Sequence, residues 1–109
     1  MNQKFDAIVV GAGQAGPSLV DRLATAGMTV AIVERHLFGG TCVNTGCTPT
    51  KTLVASAEVI HQARRAAEYG IRIEGGTITT DLRAVKARKQ KIVDASRTGL
   101  ETWLRGMRN

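Results

Sequence analysis

The spacing of apolar and polar residues changes period several times along the chain. Phe5-Asp6-Ala7-Ile8-Val9-Val10 is a short, mostly apolar run that ends in glycine, the pattern of a strand buried in a parallel sheet. Leu19, Val20, Leu23 and Ala24 then recur at helical spacing up to Gly27, which predicts a helix with a glycine stop. A second apolar run, Thr29-Val30-Ala31-Ile32-Val33, ends in Glu34. Further on, Leu53, Val54, Ala57, Val59, Ile60, Ala63 and Ala66 form a broad apolar face on a helix predicted from Lys51 to about Arg65. Alanine and serine on that helix suggest close approach of another element. Tyr69-Gly70 closes it, and the stretch from Ile71 to Thr79 fits short strands or an irregular connection. A last helix is predicted from Asp81 to about Arg105, with Thr80 or Asp81 as its N-cap. Its stripe of Leu82, Val85, Lys89, Ile92, Ser96, Gly99 or Leu100, Trp103 and Met107 is only partly apolar, as on a surface helix with one packed edge.

The first three elements enclose Gly11-Ala12-Gly13-Gln14-Ala15-Gly16. Strand, glycine turn, helix, strand and terminal acid in that order make up the dinucleotide-binding fingerprint. Gly11 allows the tight turn out of the strand, Gly13 lets backbone N–H groups approach a pyrophosphate, and Gly16 lets the helix pack closely on the strands. The helix N-terminus is an anion site for the phosphates. Glu34 stands where it accepts hydrogen bonds from an adenosine ribose 2′-hydroxyl and repels a 2′-phosphate, which favours FAD or NAD. A plain turn between packed elements would explain the glycines but not the position of the acid.

Both cysteines lie in Gly39-Gly40-Thr41-Cys42-Val43-Asn44-Thr45-Gly46-Cys47-Thr48-Pro49-Thr50-Lys51. On a regular helix, residues five apart are separated by about 7.5 Å of axial rise, whereas a disulfide needs Cα atoms about 4.4–6.8 Å apart. If the two pair, Cys42 must occupy an irregular or tightened turn while Cys47 starts a proper helix. A thiolate at that helix start is stabilised by unsatisfied N–H groups and the positive end of the dipole. Lys51, one turn on, adds positive charge to the same neighbourhood.

The chain has 109 residues, 43% of them hydrophobic, which suits one small domain with a modest core. No apolar run approaches twenty residues and no secretion signal is visible, so a cytoplasmic protein without membrane contact is expected. In that compartment two cysteines are more often catalytic or metal-binding than structural. The net charge of +6 raises the question of nucleic acid. The cluster Lys86, Arg88, Lys89 and Lys91 has no interleaved aromatic residue, however, and is read as a solvated basic face rather than a nucleic-acid surface. His36 and His61 have no metal-ligand spacing with the cysteines, and no metal site is expected.

The glycine turn and the Cys-x4-Cys stretch together resemble the N-terminal part of the FAD-binding domain of the pyridine nucleotide–disulfide oxidoreductases, in the mercuric reductase and dihydrolipoyl dehydrogenase branch. The resemblance extends over nearly the whole chain. It implies an α/β fold, a Rossmann-like but incomplete parallel sheet with flanking helices, in which residues 1–109 are the first part of an FAD domain. By resemblance, Gly11, Gly13 and Gly16 lie at the FAD pyrophosphate, Glu34 at the adenosine ribose, and Gly40 and Thr41 along the cofactor. Cys47 matches the cysteine nearest the flavin, Cys42 the interchange thiol that attacks substrate, and Lys51 the lysine close to the flavin ring. The family further implies NAD(P)H as electron donor on a separate domain, a small-molecule or disulfide acceptor, and a homodimer. The chain is therefore expected to be inactive alone. A stand-alone dithiol module, binding a soft metal or exchanging disulfides without flavin, is the alternative; it leaves the glycine fingerprint without a use.

Overall fold

In the computed structural model, which describes residues 3–107, the chain forms β1 (Ala7–Val10), α1 (Ala15–Thr25), β2 (Val30–Val33), α2 (Gly40–Asn44), α3 (Cys47–Arg64) and α4 (Leu82–Gly106). A short 3₁₀ turn, Ala66–Tyr69, follows α3. The strands β1 and β2 pair in parallel, with Ala7 opposite Val30 and Val10 opposite Val33, and α1 is the crossover between them. Both strands are shorter than the apolar runs that predict them, because Asp6 and Thr29 are spent on a latch at the start of the sheet. Asp6 N donates to Thr29 O at 2.9 Å, while the Asp6 carboxylate accepts from Thr29 N at 2.8 Å and from Thr29 Oγ1 at 2.7 Å.

Those hydrogen bonds from Thr29 hold the Asp6 carboxyl below its ordinary value. A carboxylate whose folded-state pKa is depressed stabilises the fold above the unfolded pKa, and that contribution fades as pH falls through the folded value. An Asp6→Ala variant is therefore expected to unfold at lower urea than the parent chain at neutral pH, with the gap narrowing steadily below about pH 4. Urea midpoints across pH 3–7 measure this, and a pH-independent gap would remove the charge from the latch.

Helix α1 ends as Gly27 predicts. Gly27 N bonds Ala24 O at 2.9 Å and Met28 N bonds Leu23 O at 3.1 Å, the paired bonds of a Schellman ending. At α4, Asp81 rather than Thr80 is the N-cap, its Oδ1 accepting from Arg83 N at 2.9 Å and Ala84 N at 3.0 Å. The segment from 71 to 81 is an irregular connection with no strand.

Helix α4 packs on α3 and on α2: Arg88 reaches Thr52 and Ser56 of α3, while Arg97 reaches Asn44 of α2. The packed face of α3 differs from the apolar face read in the sequence. Thr52 is buried, whereas Leu53, Val54 and Val59 are exposed. On α4 the buried residue is Val93, at 2% exposure; burying its side chain is worth about 2 kcal/mol. Trp103 and Leu82, from the predicted stripe, remain exposed. The basic cluster is also not uniformly solvated, because Arg88 Nη1 donates to Thr52 O at 3.2 Å and lies 3.4 Å from Ser56 Oγ.

The core is small: Val9, Ala12, Val20, Ala24 and Val93 are its buried apolar residues. The radius of gyration is 20.6 Å, against roughly 13 Å for a compact domain near this length. Ile8, Val10 and Val33 on the strands are exposed, although parallel sheets normally have both faces covered. Among the described residues, no helix is long and apolar enough to cross a membrane.

Candidate active site

The site is built where the turn after β1 meets the segment after β2. Gly16, in the first turn of α1, lies so close to the turn that a Cβ there would stand 2.0 Å from Gly11 O and 3.6 Å from Val9 Cγ1. Only glycine fits, and the close contact sets α1 directly against β1. Gly13 is different: a Cβ built on it meets nothing within 4 Å. The side of Gly13 on which a Cβ would stand is thus open, and no side chain caps the start of α1 among the described residues. Open backbone at an uncapped helix start is the arrangement that accepts an anion.

Glu34, at the end of β2, closes one side of this turn. Its Oε2 accepts from Ala12 N at 2.9 Å and its Oε1 from His36 N at 2.9 Å. These two backbone N–H bonds, Ala12 first, hold its carboxyl below the usual range, so it stays a carboxylate at neutral pH. Ala12 did not stand out in the sequence, yet its N–H holds Glu34 and its carbonyl accepts from Gly39 N at 2.7 Å.

That last bond brings in the cysteine stretch. Gly40 has φ +58°, and a Cβ on it would sit 3.0 Å from Gly13 Cα. The start of α2 therefore lies directly on the glycine turn, with backbone against backbone. Cys42 belongs to a short helix rather than to an irregular turn. The break comes at Gly46, where a Cβ would stand 3.0 Å from Thr41 O. Because the chain doubles back there, the Cα atoms of Cys42 and Cys47 are 4.7 Å apart, and the two form a disulfide. Cys47 is the first residue of the eighteen-residue α3, whose start carries no side-chain cap among the described residues. Cys47 is exposed and Cys42 half-buried; Thr41 and Lys51 are exposed, Lys51 one helical turn beyond Cys47.

Gly11, Gly13, Gly16, Glu34, Gly40 and the two cysteines are thus gathered by direct contacts: backbone on backbone at Gly11–Gly16 and Gly13–Gly40, the Glu34 carboxylate on Ala12 N, and the disulfide between the sulfurs. The histidines stand apart from this chemistry: His36 contributes its backbone N–H, and His61 Nε2 lies 3.3 Å from Arg65 Nη1 on α3. Asn44, between the cysteines, also escaped the sequence reading. Its Nδ2 donates to Gly40 O at 2.9 Å and to Phe38 O at 3.0 Å.

The pyridine nucleotide-disulphide oxidoreductase family profile matches residues 5–105. The chain belongs to that family. Relatives within it include the dihydrolipoyl dehydrogenase of Chlamydia muridarum, 43% identical over 105 residues, a match covering 96% of this chain and 22% of that protein. The dihydrolipoyl dehydrogenase of Bacillus subtilis is 36% identical over 100 residues, covering 92% of this chain and 21% of its own length. A solved structure, the Cu(II) complex of a cysteine-to-serine mutant of the HOCl-induced flavoprotein disulfide reductase RclA from Escherichia coli, superposes with a TM-score of 0.75 at 34% identity. It covers all of this chain and 21% of its own. This member of the oxidoreductase family therefore spans about a fifth of the length of the relatives it matches, and its α/β fold is theirs.

Proposed function

We propose that this chain supplies the nucleotide cradle and the redox disulfide of a flavoprotein disulfide reductase, as the first part of its FAD domain. The observation that carries the reading is the 2.7 Å bond from Gly39 N to Ala12 O, which sets the disulfide segment on the glycine turn. A stand-alone dithiol module has no need of that contact. The chain's residues suit FAD: the space over Gly13 is open to a pyrophosphate, the start of α1 is uncapped, and Glu34 is held ionised for a ribose hydroxyl. In this reading Gly11, Gly13 and Gly16 form the pyrophosphate cradle, Gly40 and Thr41 line the cofactor, and Lys51 stands near the flavin ring. When bound, FAD supplies an electron pair at the disulfide.

The chemistry of the chain itself follows from the placement of its two sulfurs. Two electrons and two protons convert the Cys42–Cys47 bond into a pair of thiols. Cys47, at the start of α3, is the sulfur favoured as thiolate by the helix dipole. Cys42 is the interchange thiol: it attacks an acceptor disulfide to give a mixed disulfide and releases one acceptor thiol. Cys47 then attacks Cys42, which releases the second thiol and restores the bond. The electrons come from NAD(P)H held outside this chain, the acceptor is a small molecule or a disulfide, and the working form is a cytoplasmic homodimer. The names of the relatives, dihydrolipoyl dehydrogenase and flavoprotein disulfide reductase, support the electron path of this reading.

The protein that carries this chain is expected to hold FAD through purification and to show flavin absorbance that bleaches on adding NADPH, NADH or dithionite. Two new thiols should then appear on alkylation, at Cys42 and Cys47. A protein that binds no flavin, or whose flavin is reduced without exposing those thiols, would overturn the proposal.

A further inference from the structure

The turn between the two sulfurs is gripped from a distant part of the chain. Asn44 uses both amide hydrogens within its own segment, on Phe38 O and Gly40 O. Its remaining polar atom, Oδ1, accepts from Arg97 Nη1 at 3.3 Å, across 53 residues of sequence. Arg97 is in turn oriented by Asp94, whose Oδ1 lies 2.8 Å from Arg97 Nη2 and 3.0 Å from Gln90 Nε2. The Arg97 side chain is 25% exposed and that of Asp94 46%. As an ion pair this is worth little. Its use is geometric: the guanidinium fork spans a carboxylate on its own helix and an amide on another.

We propose that Arg97 is a positioning residue for the redox disulfide, acting through Asn44. The idea rests on the reading of Cys42 and Cys47 as the working couple and deepens it. Asn44 ties the end of α2 back to the glycine segment, and Arg97 fixes Asn44, so the stretch that carries Cys42 stays over Cys47 when the bond is open. Reduction adds two electrons and two protons and leaves two thiols. A scaffold that keeps those thiols at bridging distance raises their effective concentration toward each other and favours the closed disulfide. Lysine at position 97 keeps the charge but cannot span both partners in one plane.

The test is a redox titration of the protein that carries this chain, in mixtures of reduced dithiothreitol and its cyclic disulfide, read by alkylation of Cys42 and Cys47. The electrons come from dithiothreitol, which closes its own ring as the Cys42–Cys47 bond opens. Arg97→Ala is expected to shift the equilibrium about tenfold toward the dithiol, which is 29.6 mV for a two-electron couple. Arg97→Lys and Asp94→Asn should move it about threefold in the same direction. Adding Arg97→Ala to an Asn44→Ala background should produce no further shift. If Arg97→Ala does not fold by circular dichroism, Arg97→Lys and Asp94→Asn carry the test. An unmoved titration in the folded variants, or additive shifts in the double variant, overturns the inference alone. A parent chain in which Cys42 and Cys47 fail to interconvert as one couple overturns the functional reading instead.

Discussion

Gly16→Ala is expected to destabilise the protein by about 3 kcal/mol, the upper end of the usual cost of overpacking, and to abolish retention of FAD. The added methyl would stand 2.0 Å from Gly11 O. A backbone carbonyl cannot rotate away as a side chain can, so α1 has to lift from β1, and the turn opens with it. Gly13→Ala is the matched control. Its Cβ meets no atom within 4 Å, and its stability should stay within about 0.5 kcal/mol of the parent, as for surface changes generally. It should nevertheless lose FAD, because the methyl fills the approach to the bare backbone. Denaturant midpoints and flavin content, measured together on both variants, separate folding from binding. A Gly13→Ala protein that keeps its flavin would contradict the assignment of that space to the pyrophosphate.

Serine at either cysteine should lower turnover by roughly 10³-fold or more, the scale on which loss of an essential nucleophile registers. Both variants lose a short cross-link worth about 2 kcal/mol by loop closure, so stability does not tell them apart. Spectroscopy does. In the reduced holoprotein, Cys47→Ser is expected to remove the long-wavelength absorbance of a thiolate against the flavin while FAD stays bound. Cys42→Ser should keep that absorbance, because the sulfur at the start of α3 is still present. If the two results are exchanged, the roles of the two sulfurs are exchanged as well.

Much of the fold is legible in the sequence where one periodicity dominates. β1, α1 and β2 follow from short apolar runs on either side of a helical repeat, and their order around Gly11, Gly13 and Gly16 places the glycine turn. The short helix α2 could not be read this way, since five residues between glycines show no period. The face on which α3 packs is not legible in the apolar spacing for a different reason. Arg88 bonds a backbone carbonyl at Thr52 and the hydroxyl of Ser56, so α4 settles on small polar residues and leaves Leu53 and Val54 exposed. The hold of Arg97 on Asn44 joins polar residues 53 positions apart, a separation at which neither spacing nor hydropathy gives a signal. The stretch from Ile71 to Thr79 fits short strands or an irregular connection, and it is irregular because it pairs with no strand among the described residues.

Backbone rather than side chains meets where Gly40 rests on Gly13 and Gly39 bonds Ala12. Substitutions among the surrounding side chains therefore leave the spacing between the glycine turn and the cysteine segment almost unchanged. The spacing of the two segments is thus a property of the main chain, indifferent to which side chains surround it.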